Sequence, residues 1–411
     1  MTAENQTPRG PLSHLRVLDL TQFLSGPYAT QILGDLGAEV VKIEAPDGDM
    51  TRRLPPHFVG TQSAYYLSIN RNKRSLVVDM KSDAGRALVR ELALASDIVV
   101  ENFRPGILKR LGLSYEDLAA QKPGIIWCSI SGFGQDGPYR DRPAYDMIVQ
   151  AMSGGMSLTG EKDGHPVRSG IPIGDIAAGM YGVIGVLAAI AAKEHSGKGK
   201  LIDVSMLDCQ VAMLSYQAAY YLASGEIPNR QGRGHDSIPT YRSFTGSDGF
   251  DFAITANTER MWTNLCGVLG RPELASDERF RTNEQRYANR NVLWDILENA
   301  FRARPAADWV AALLVAEVPA AVVNTLDRSL NDPQVLHRNM VLVMDGPQGE
   351  RLRVAGNPVK FVGETETASS YPPLLGADTK TVLSAWLALS DERIGALERD
   401  GAFGAARRQQ T

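Results

Sequence analysis

The chain has 411 residues, a formal net charge of −4 and a sequence pI of about 5.9. This length exceeds what one ordinary hydrophobic core holds and predicts two domains. Its Lys and Arg residues are scattered along the chain, which excludes the basic footprint of a nucleic-acid-binding protein.

The N-terminal segment and the cysteines indicate the cellular compartment and the capacity for metal binding. The N-terminal segment Met1–Pro8 lacks a basic stretch followed by an apolar core, so no secretory signal is indicated and we expect a cytoplasmic protein. The cysteines Cys128, Cys209 and Cys266 are far apart and have no Cys or His at metal-binding spacing. The sequence therefore predicts neither a disulfide framework nor a metal site.

The first two hundred residues alternate strand and helix patterns, which predicts an α/β fold with a doubly wound parallel sheet. The first βα turn does not contain G-x-G-x-x-G, so a dinucleotide site is not indicated. The predicted strands are 16–21, 39–44, 75–80, 97–101, 125–130 and 201–205, and the predicted helices are 26–36 and 83–95.

One apolar run, Ile176–Ala192, is the only candidate for a membrane span. It is shorter than the roughly 20 residues that a span needs. It also contains Gly179, Gly182 and Gly185, whose small size favours close packing with another backbone. We therefore predict a core helix and no membrane association.

Composition changes after Tyr221, where residues 223–239 are rich in Gly, Pro, Asn and Arg and indicate a domain boundary. The predicted division is a first domain 1–222, a linker with a small α+β domain 223–331, and a third segment 332–411. The small domain is predicted from a strand at 250–256 and helices at 258–269, 289–303 and 307–315. The third segment has predicted strands at 341–344 and 351–355 and a helix at 379–389.

Asp175 directly precedes the apolar run and is predicted to be the N-cap of its helix. The positive end of the helix dipole favours an ionised carboxylate there, and the same N–H groups can stabilise an oxyanion. Gly174 lacks a side chain, which predicts room for a bulky substrate beside Asp175. From its position alone, a purely structural cap is the simpler interpretation. Asp146 is the next candidate carboxylate, with a capping turn as its alternative.

Basic residues follow the predicted strand 97–101. Ligands in open α/β sheets bind beyond the carboxyl ends of strands, which favours Arg104 and Arg110 as contacts for a phosphorylated ligand. A solvated charged surface is the alternative. The segment Gln231–His235 has two glycines around an arginine, which suits either a mobile lid or a domain linker.

Several short motifs together resemble the class III coenzyme A transferases, the family of formyl-CoA transferase and carnitine CoA-transferase. They cover the first two hundred residues, with weaker similarity nearly to the end. The matching pieces are Val17–Thr21 with Gly26–Pro27, Leu33–Val40 with Lys42–Glu44, Asn70–Ser75, Val100–Phe103, Ser131–Gly134 and Gly174–Asp175.

The resemblance implies a Rossmann-like large domain built from both chain ends, a smaller α+β domain, and a homodimer whose two ring-like subunits interlock. It implies that Asp175 is the nucleophile, which forms an acyl anhydride and then an aspartyl-CoA thioester. Coenzyme A is then a substrate, as its thioester, and no cofactor is permanently bound. By the same resemblance the CoA contacts are Leu24, Ser25, Val78, Asp79, Met80, Lys81, Asn102, Phe103, Arg104, Arg110, Arg142 and Tyr145.

The substrate pair suggested by the resemblance is succinyl-CoA and a C4 to C6 dicarboxylate. Candidate acceptor contacts are Arg168, Gly232, Arg233, Gly234 and His235, with the two arginines pairing the distal carboxylate. Two alternatives stay open. A 2-methylacyl-CoA racemase of the same superfamily uses a histidine beside an aspartate at the positions of Tyr145 and Asp146, so Tyr145 disfavours this function, whereas Asp175 and Glu259 suit either activity. A non-catalytic acyl-CoA binding protein would use Asp175 only as a cap.

Overall fold

The structure is a computed structural model that describes residues 10–230, 232–366 and 368–404. Residues 1–9 and 405–411, at the ends of the predicted first domain and third segment, lie outside the described residues. The segment Met1–Pro8, in which no secretory signal is predicted, is among them. Gln231 of the predicted loop also lies outside the described residues.

The secondary structure comprises the following elements in chain order. The strands are β1 Arg16–Asp19, β2 Glu39–Glu44, β3 Phe58–Val59, β4 Gln62–Ser63, β5 Lys73–Val77, β6 Ile98–Glu101, β7 Ile126–Ser131, β8 Leu201–Ser205, β9 Tyr241–Thr245, β10 Asp251–Thr255, β11 Ala320–Val322, β12 Val341–Asp345 and β13 Arg351–Ala355. The helices are α1 Ser25–Asp35, α2 Ala64–Ser68, α3 Asp83–Ala95, α4 Ile107–Arg110, α5 Tyr115–Gln121, α6 Asp146–Met152, α7 Gly155–Leu158, α8 Ile173–Ser196, α9 Met206–Met213, α10 Tyr216–Ser224, α11 Glu259–Val268, α12 Glu273–Ser276, α13 Asn283–Ala288, α14 Arg290–Phe301, α15 Ala306–Val315, α16 Leu326–Ser329, α17 Pro333–His337, α18 Thr379–Leu387 and α19 Asp391–Arg399.

The main sheet has six parallel strands in the order β5-β2-β1-β6-β7-β8. Renumbered within this sheet, the order is 3-2-1-4-5-6, as in Rossmann-like doubly wound sheets. The predicted α/β class with a large parallel sheet is confirmed. The winding reverses between β1 and β6, so the loops that follow these two strands diverge and leave a crevice at the carboxyl edge.

Both faces of this sheet are buried, which explains the nearly continuous apolar runs of its strands. Val17 of β1 points into one hydrophobic cluster, together with α1 and α8, and Leu18 points into the other, together with α3. Strand β6 alternates in the same way through Ile98 and Val99.

The described chain forms two compact units. The first contains 10–155, 169–222 and 336–404, and the second contains 156–168, 223–230 and 232–335. Residues 156–168, assigned to the first domain by the sequence analysis, therefore group with the second unit. The third segment joins the first unit through hydrogen bonds from Asp79 N–H to the Ala402 carbonyl (2.7 Å) and from Ser75 N–H to Asp378 (2.9 Å).

The second unit has an antiparallel sheet in the order β11-β10-β9. An aromatic core lies against it, with the rings of Phe244 and Phe252 centred 4.8 and 5.0 Å from that of Phe301. Trp309 packs edge-on to Phe301, and its indole N–H donates to the Phe301 carbonyl.

Helix α8 is longer than the predicted apolar run at both ends. Among the described residues it is the one helix long and apolar enough to cross a membrane by length and composition alone. It packs against α1, β7 and β8, and its buried face is made mainly of Gly and Ala. These contacts are those of a core helix, as predicted.

The contact between α1 and α8 depends on Gly179. A Cβ atom at this position would lie 2.8 Å from the Ser25 carbonyl oxygen and 3.0 Å from the Tyr28 ring. Backbone cannot move away as a flexible side chain does, so the two helices approach this closely only with glycine at position 179.

Gly179→Ala is therefore expected to lower the free energy of unfolding by about 1–3 kcal/mol through overpacking. The measurement is urea denaturation followed by circular dichroism. Gly395→Ala is the matched control, because Gly395 is also helical, in α19, and a Cβ there meets only the end of Arg399 at 3.6 Å. The control is expected to gain about 0.5–1 kcal/mol, and a stabilised Gly179→Ala would contradict the packing argument.

Candidate active site

The crevice at the carboxyl edge is bounded by the segment that follows β1. Asn102, directly after β6, holds this segment by accepting from Gln22 N–H (2.8 Å) and donating to the Gln22 carbonyl (2.7 Å). The next residue, Phe23, has a φ of 63°, a left-handed conformation that is uncommon for a bulky residue. Two residues later α1 begins at Ser25.

Asp175 lies in the first turn of α8, as its third residue. The prediction that Asp175 is the N-cap is wrong: α8 begins at Ile173, and its N-cap is Pro172, which makes no side-chain capping bond. The orphan N–H of Gly174 is instead bound by Asp146, whose Oδ1 accepts at 2.8 Å. Because a distant segment supplies this acceptor, the Asp175 carboxylate is left for other contacts.

Those contacts are with Ser25. The Ser25 hydroxyl and the Ser25 backbone N–H are the donors that act on the Asp175 carboxylate and favour its ionised form. Burial, followed by repulsion from the Asp146 carboxylate, raises the pKa of Asp175 to about 7, while the two Ser25 hydrogen bonds act in the opposite direction. Asp175 is thus a half-buried carboxylate that titrates near neutral pH.

Gly174 does not provide room for a substrate, which corrects the prediction made from its missing side chain. A Cβ on Gly174 would lie 2.5 Å from Gln210 Nε2, 2.9 Å from Val149 and 3.1 Å from Asp146 Oδ1. Protein side chains fill that space. Glycine is required here because α6 and α9 pack against the first turn of α8.

A cavity of about 270 Å³ opens beside Asp175. It lies wholly within the first unit, at the ends of β1, β6 and β7. Seven of the residues singled out from the sequence line it: Ser25, Asn102, Phe103, Arg104, Arg142, Tyr145 and Asp175.

Six other predicted CoA contacts lie outside this cavity. Leu24 is buried beneath the segment after β1. Arg110 is close to the rim: a Cβ on Gly106 would be 3.7 Å from its Nη1 and 3.4 Å from Arg140 Nη2. Val78, Asp79, Met80 and Lys81 follow β5, two strands away from β1, where the Arg86 guanidinium donates to the Met80 and Lys81 carbonyls.

The cavity also contains residues that sequence reasoning missed. Phe23 packs edge-on to Tyr145 with ring centroids 5.9 Å apart, and Ile130 and Met206 supply apolar wall. Arg140 lies in the same post-strand loop as Arg142, and that shared position was the signal that would have identified it. Outside the cavity, the charges of Asp175 and Asp49 add to burial in raising the pKa of Tyr65 to about 12, so its phenol stays neutral.

The predicted acceptor contacts belong to the second unit. Arg233 is already paired with Asp251, with Nη2 2.7 Å from Oδ1, and also donates to Ser243 and Thr245. His235 stacks on Tyr241 and lies 3.0 Å from Asp236. Gly232 has a φ of 58°, Gly234 forms a bridge with Arg242, and Arg168 is exposed. A carboxylate ligand would have to share or displace the Arg233 ion pair.

Fold and site together define an α/β protein with a titratable carboxylate beside a crevice lined by arginines. The model of CoA-transferase family III matches residues 12–379. Human succinyl-CoA:glutarate CoA-transferase is 40% identical over 94% of this chain and 88% of its own length. Acetyl-CoA:oxalate CoA-transferase of Acetobacter aceti is 42% identical over 87% of this chain and 90% of its own.

A solved structure of the same family has a similar fold. The crystal structure of a CAIB/BAIF family protein from Brucella suis has a TM-score of 0.83 at 39% identity, covering 92% of this chain and all of that one. The chain belongs to CoA-transferase family III, and it is an enzyme of the CoA-transferase type.

The Asp146 charge gives a testable pH effect. Because it raises the pKa of Asp175, Asp146→Asn is expected to lower that pKa and move the acid limb of kcat/KM for CoA transfer to lower pH, by roughly one unit. The asparagine keeps an oxygen for Gly174 N–H. The measurement is kcat/KM against pH.

Asp203→Asn is the matched control, since Asp203 is another carboxylate whose pKa burial raises, yet it does not line the cavity. Its acid limb is expected to stay at the wild-type position. An unmoved limb in Asp146→Asn, or one at higher pH, would contradict the electrostatic coupling.

Proposed function

We propose that the protein transfers coenzyme A from succinyl-CoA to a C4 to C6 dicarboxylate, with Asp175 as the nucleophile, and that it works in the cytoplasm. The observation that carries the proposal is the half-buried Asp175 carboxylate, which lines the cavity beside Ser25 and whose pKa burial raises to about 7. The human relative, by its name, uses succinyl-CoA and glutarate, and the Acetobacter aceti relative uses acetyl-CoA and oxalate. Both named acceptors are dicarboxylates.

The chemistry proceeds through two kinds of covalent intermediate, an anhydride and a thioester. An Asp175 oxygen attacks the thioester carbonyl, and the C–S bond breaks to give an acyl-aspartyl anhydride and the CoA thiolate. The thiolate then attacks the aspartyl carbonyl, which releases succinate and leaves an aspartyl-CoA thioester. The acceptor carboxylate repeats the two steps in reverse order, and the new acyl-CoA leaves with Asp175 restored. No net proton is taken up or lost.

Ser25 has a further use in the steps at the aspartyl carbonyl. When the thiolate or the acceptor attacks there, negative charge develops on the oxygen that remains on Asp175. The Ser25 hydroxyl and N–H act on this carboxylate in the resting enzyme, so they are the nearest donors for that oxyanion.

The arginine-lined crevice suits coenzyme A, whose phosphates carry negative charge. We propose that Arg104, Arg142 and the newly identified Arg140 contact these phosphates. Asn102, Phe103 and Tyr145 complete the wall of this binding site, and Leu24, Arg110 and Val78–Lys81 stay predicted contacts outside the cavity. The acceptor's distal carboxylate is assigned, as a proposal, to Arg168 or Arg233 with Gly232, Gly234 and His235.

The racemase alternative has less support. A racemase needs a free base beside the α-carbon, whereas Asp146 binds Gly174 N–H and the Gln150 amide. Glu259 is engaged as well, forming two hydrogen bonds with Arg286 at 2.8 and 2.9 Å. In this interpretation Asp146 binds the first turn of α8 and Tyr145 packs against Phe23, and neither acts as a base.

Asp175→Asn is expected to lower turnover by roughly a thousandfold or more because it removes the nucleophile while keeping the shape of the side chain. Wild-type enzyme incubated with succinyl-CoA and hydroxylamine is expected to form a hydroxamate on Asp175, detectable by peptide mass spectrometry. Asp203→Asn is the control and should retain wild-type turnover. An active Asp175→Asn variant would refute the nucleophile and favour a purely structural carboxylate.

The acceptor class has its own test. With succinyl-CoA as donor, we expect CoA to pass to dicarboxylates of four to six carbons at least about tenfold faster, in kcat/KM, than to monocarboxylates of equal length, since an arginine pairs the distal carboxylate. The products are identified by mass spectrometry of the CoA thioesters. Equal rates for both classes would contradict a site for the distal carboxylate.

We also propose the interlocked homodimer that the resemblance implies. Its support is a row of exposed apolar side chains on α8, Met180, Tyr181, Ile184 and Leu187, on a helix whose opposite face is buried. A second copy of the chain is the proposed occupant of this row. Helix α10 adds exposed aromatic residues to the same unit, including Tyr216 and Tyr220.

Ile184→Glu is therefore expected to yield monomers or to weaken the dimer by at least about tenfold, because it places a charge in an apolar contact. Sedimentation velocity measures the association state. Val315→Glu is the control, since Val315 is even more exposed but belongs to α15 of the second unit. A monomeric wild-type protein, or an unchanged dimer in Ile184→Glu, would contradict the proposed interface.

A further inference from the structure

Two lysines are buried inside the first unit, beneath the candidate active site. Lys42 and Lys73 are 0% and 4% exposed, and so are unlike ordinary strand lysines that reach solvent. Lys42 Nζ lies 3.0 Å from Asp49 Oδ2, and Lys73 Nζ lies 3.0 Å from Asp19 Oδ2. Burying such a pair costs desolvation free energy, and the attraction between the two charges seldom outweighs that cost. Stability alone is therefore a poor reason for these pairs.

Each lysine also holds a backbone carbonyl: that of Lys42 lies in the segment between β1 and α1, and that of Lys73 lies in the first turn of α1. Lys42 Nζ donates to the Thr21 carbonyl at 2.7 Å, and Lys73 Nζ donates to the Pro27 carbonyl at 2.9 Å. Asp19 completes the network by accepting from Thr21 N–H (2.8 Å) and from the Thr30 hydroxyl (2.7 Å). The two ends of the segment Thr21–Pro27 are therefore tied to the same buried charges.

Between these two ends lie the atoms that contact Asp175. Asn102 fixes the Gln22 peptide, Phe23 adopts its left-handed conformation, and Ser25 then presents its hydroxyl and N–H to the carboxylate. A left-handed non-glycine residue persists only where the surroundings fix it. The buried lysines supply that restraint from below, and Asn102 supplies it from the crevice.

We propose that Lys42 and Lys73 are positioning residues for the reaction: they fix the ends of the segment Thr21–Pro27 so that Ser25 donates two hydrogen bonds to Asp175. This inference rests on the proposed role of Asp175 as nucleophile. The lysines touch no substrate, and they act only through the segment. An ammonium group suits this task because its three N–H donors bind a carboxylate and a carbonyl together.

The charge state of the cluster supports the assignment. Burial opposes a charge on Lys42, but the carboxylates of Asp19, Asp49 and Glu44 raise its pKa overall. Burial lowers the pKa of Lys73 to about 8 against the pull of Asp19, while the two lysines together lower the pKa of Asp19. At neutral pH both lysines are ammonium donors facing carboxylates.

The expected result of Lys42→Met or Lys73→Met is a fall in kcat of roughly tenfold to a hundredfold, since small displacements of catalytic donors cost about this much. The acyl-CoA KM is expected to stay within about threefold, because the lysines do not contact the ligand. The acid limb of the pH profile is expected to move to higher pH. The Ser25 hydrogen bonds lower the pKa of Asp175, so their loss raises it, with Asp146 and Tyr65 as the other ionisable groups near the carboxylate.

Arg71→Met is the matched control. Arg71 forms an equally buried pair with Asp35 and also donates to a backbone carbonyl, that of Ala355, but it does not touch the segment Thr21–Pro27. It is expected to lose stability with kcat and the pH limb unchanged. Urea denaturation of all variants separates lost stability from lost positioning.

A double-mutant cycle with Ser25→Ala tests whether the lysines act through Ser25. If they do, Lys42→Met and Ser25→Ala together cost less than the sum of their separate effects on kcat. Should a lysine variant not fold, Asn102→Ala releases the same segment from the crevice side, and it is expected to produce the same shift of the acid limb to higher pH.

Additive effects with Ser25→Ala, or lysine variants that behave like Arg71→Met, would overturn the positioning role. So would an unmoved acid limb in Asn102→Ala when no lysine variant folds. Asp175→Asn, assayed alongside, distinguishes the two proposals. An active Asp175→Asn refutes the nucleophile, whereas an inactive one with near-normal lysine variants refutes only the positioning.

Discussion

The site depends on how closely α8 approaches α1. The buried face of α8 is made mainly of glycine and alanine, and at Gly179 the backbone of one helix meets the Ser25 carbonyl of the other. A second close approach occurs at Gly26, where a Cβ would lie 2.4 Å from the Thr21 side chain. The first contact brings α8 against the start of α1, and the second keeps the segment after β1 against the first turn of α1. Ser25 therefore donates to Asp175 as a consequence of backbone packing, with no long side chain to adjust the distance.

The electrostatics of Asp175 balance two opposing effects. The Ser25 donors and the helix N-terminus favour the carboxylate, whereas burial and Asp146 favour the neutral acid. A carboxylate with an ordinary pKa is a weak nucleophile because water and hydrogen bonds stabilise its charge. Raising the pKa to about 7 increases its basicity, and the ionised form stays accessible at neutral pH. Asp146 thus has two effects, since it satisfies the Gly174 N–H and destabilises the neighbouring charge.

Local patterns predicted the scaffold well. The strands Glu39–Glu44 and Leu201–Ser205 and the helix Asp83–Ala95 have the predicted bounds, because apolar alternation and the Ser82 cap are local signals. Non-local contacts account for what the sequence could not show. The acceptor for Gly174 N–H is Asp146 of α6, and Arg233 pairs with Asp251 of β10. Lys42 and Lys73 look like ordinary polar residues of strands until the segment after β1 folds over them. The family motifs identified Asp175, whereas its hydrogen bonds required the three-dimensional structure.

Transfer, as opposed to hydrolysis, places a demand on the walls of the cavity. Both proposed intermediates, the anhydride and the aspartyl thioester, react with water, so the proposed mechanism requires a site that excludes water while it admits a second carboxylate. Phe23 and Tyr145 form an edge-to-face pair at the cavity, and Ile130 and Met206 add apolar surface beside Asp175. Phe23 holds its place only in the left-handed conformation that the restraints on Thr21–Pro27 maintain. The same buried lysines that align Ser25 therefore also hold an aromatic wall against water, which links the rate of acyl transfer to the protection of its intermediates.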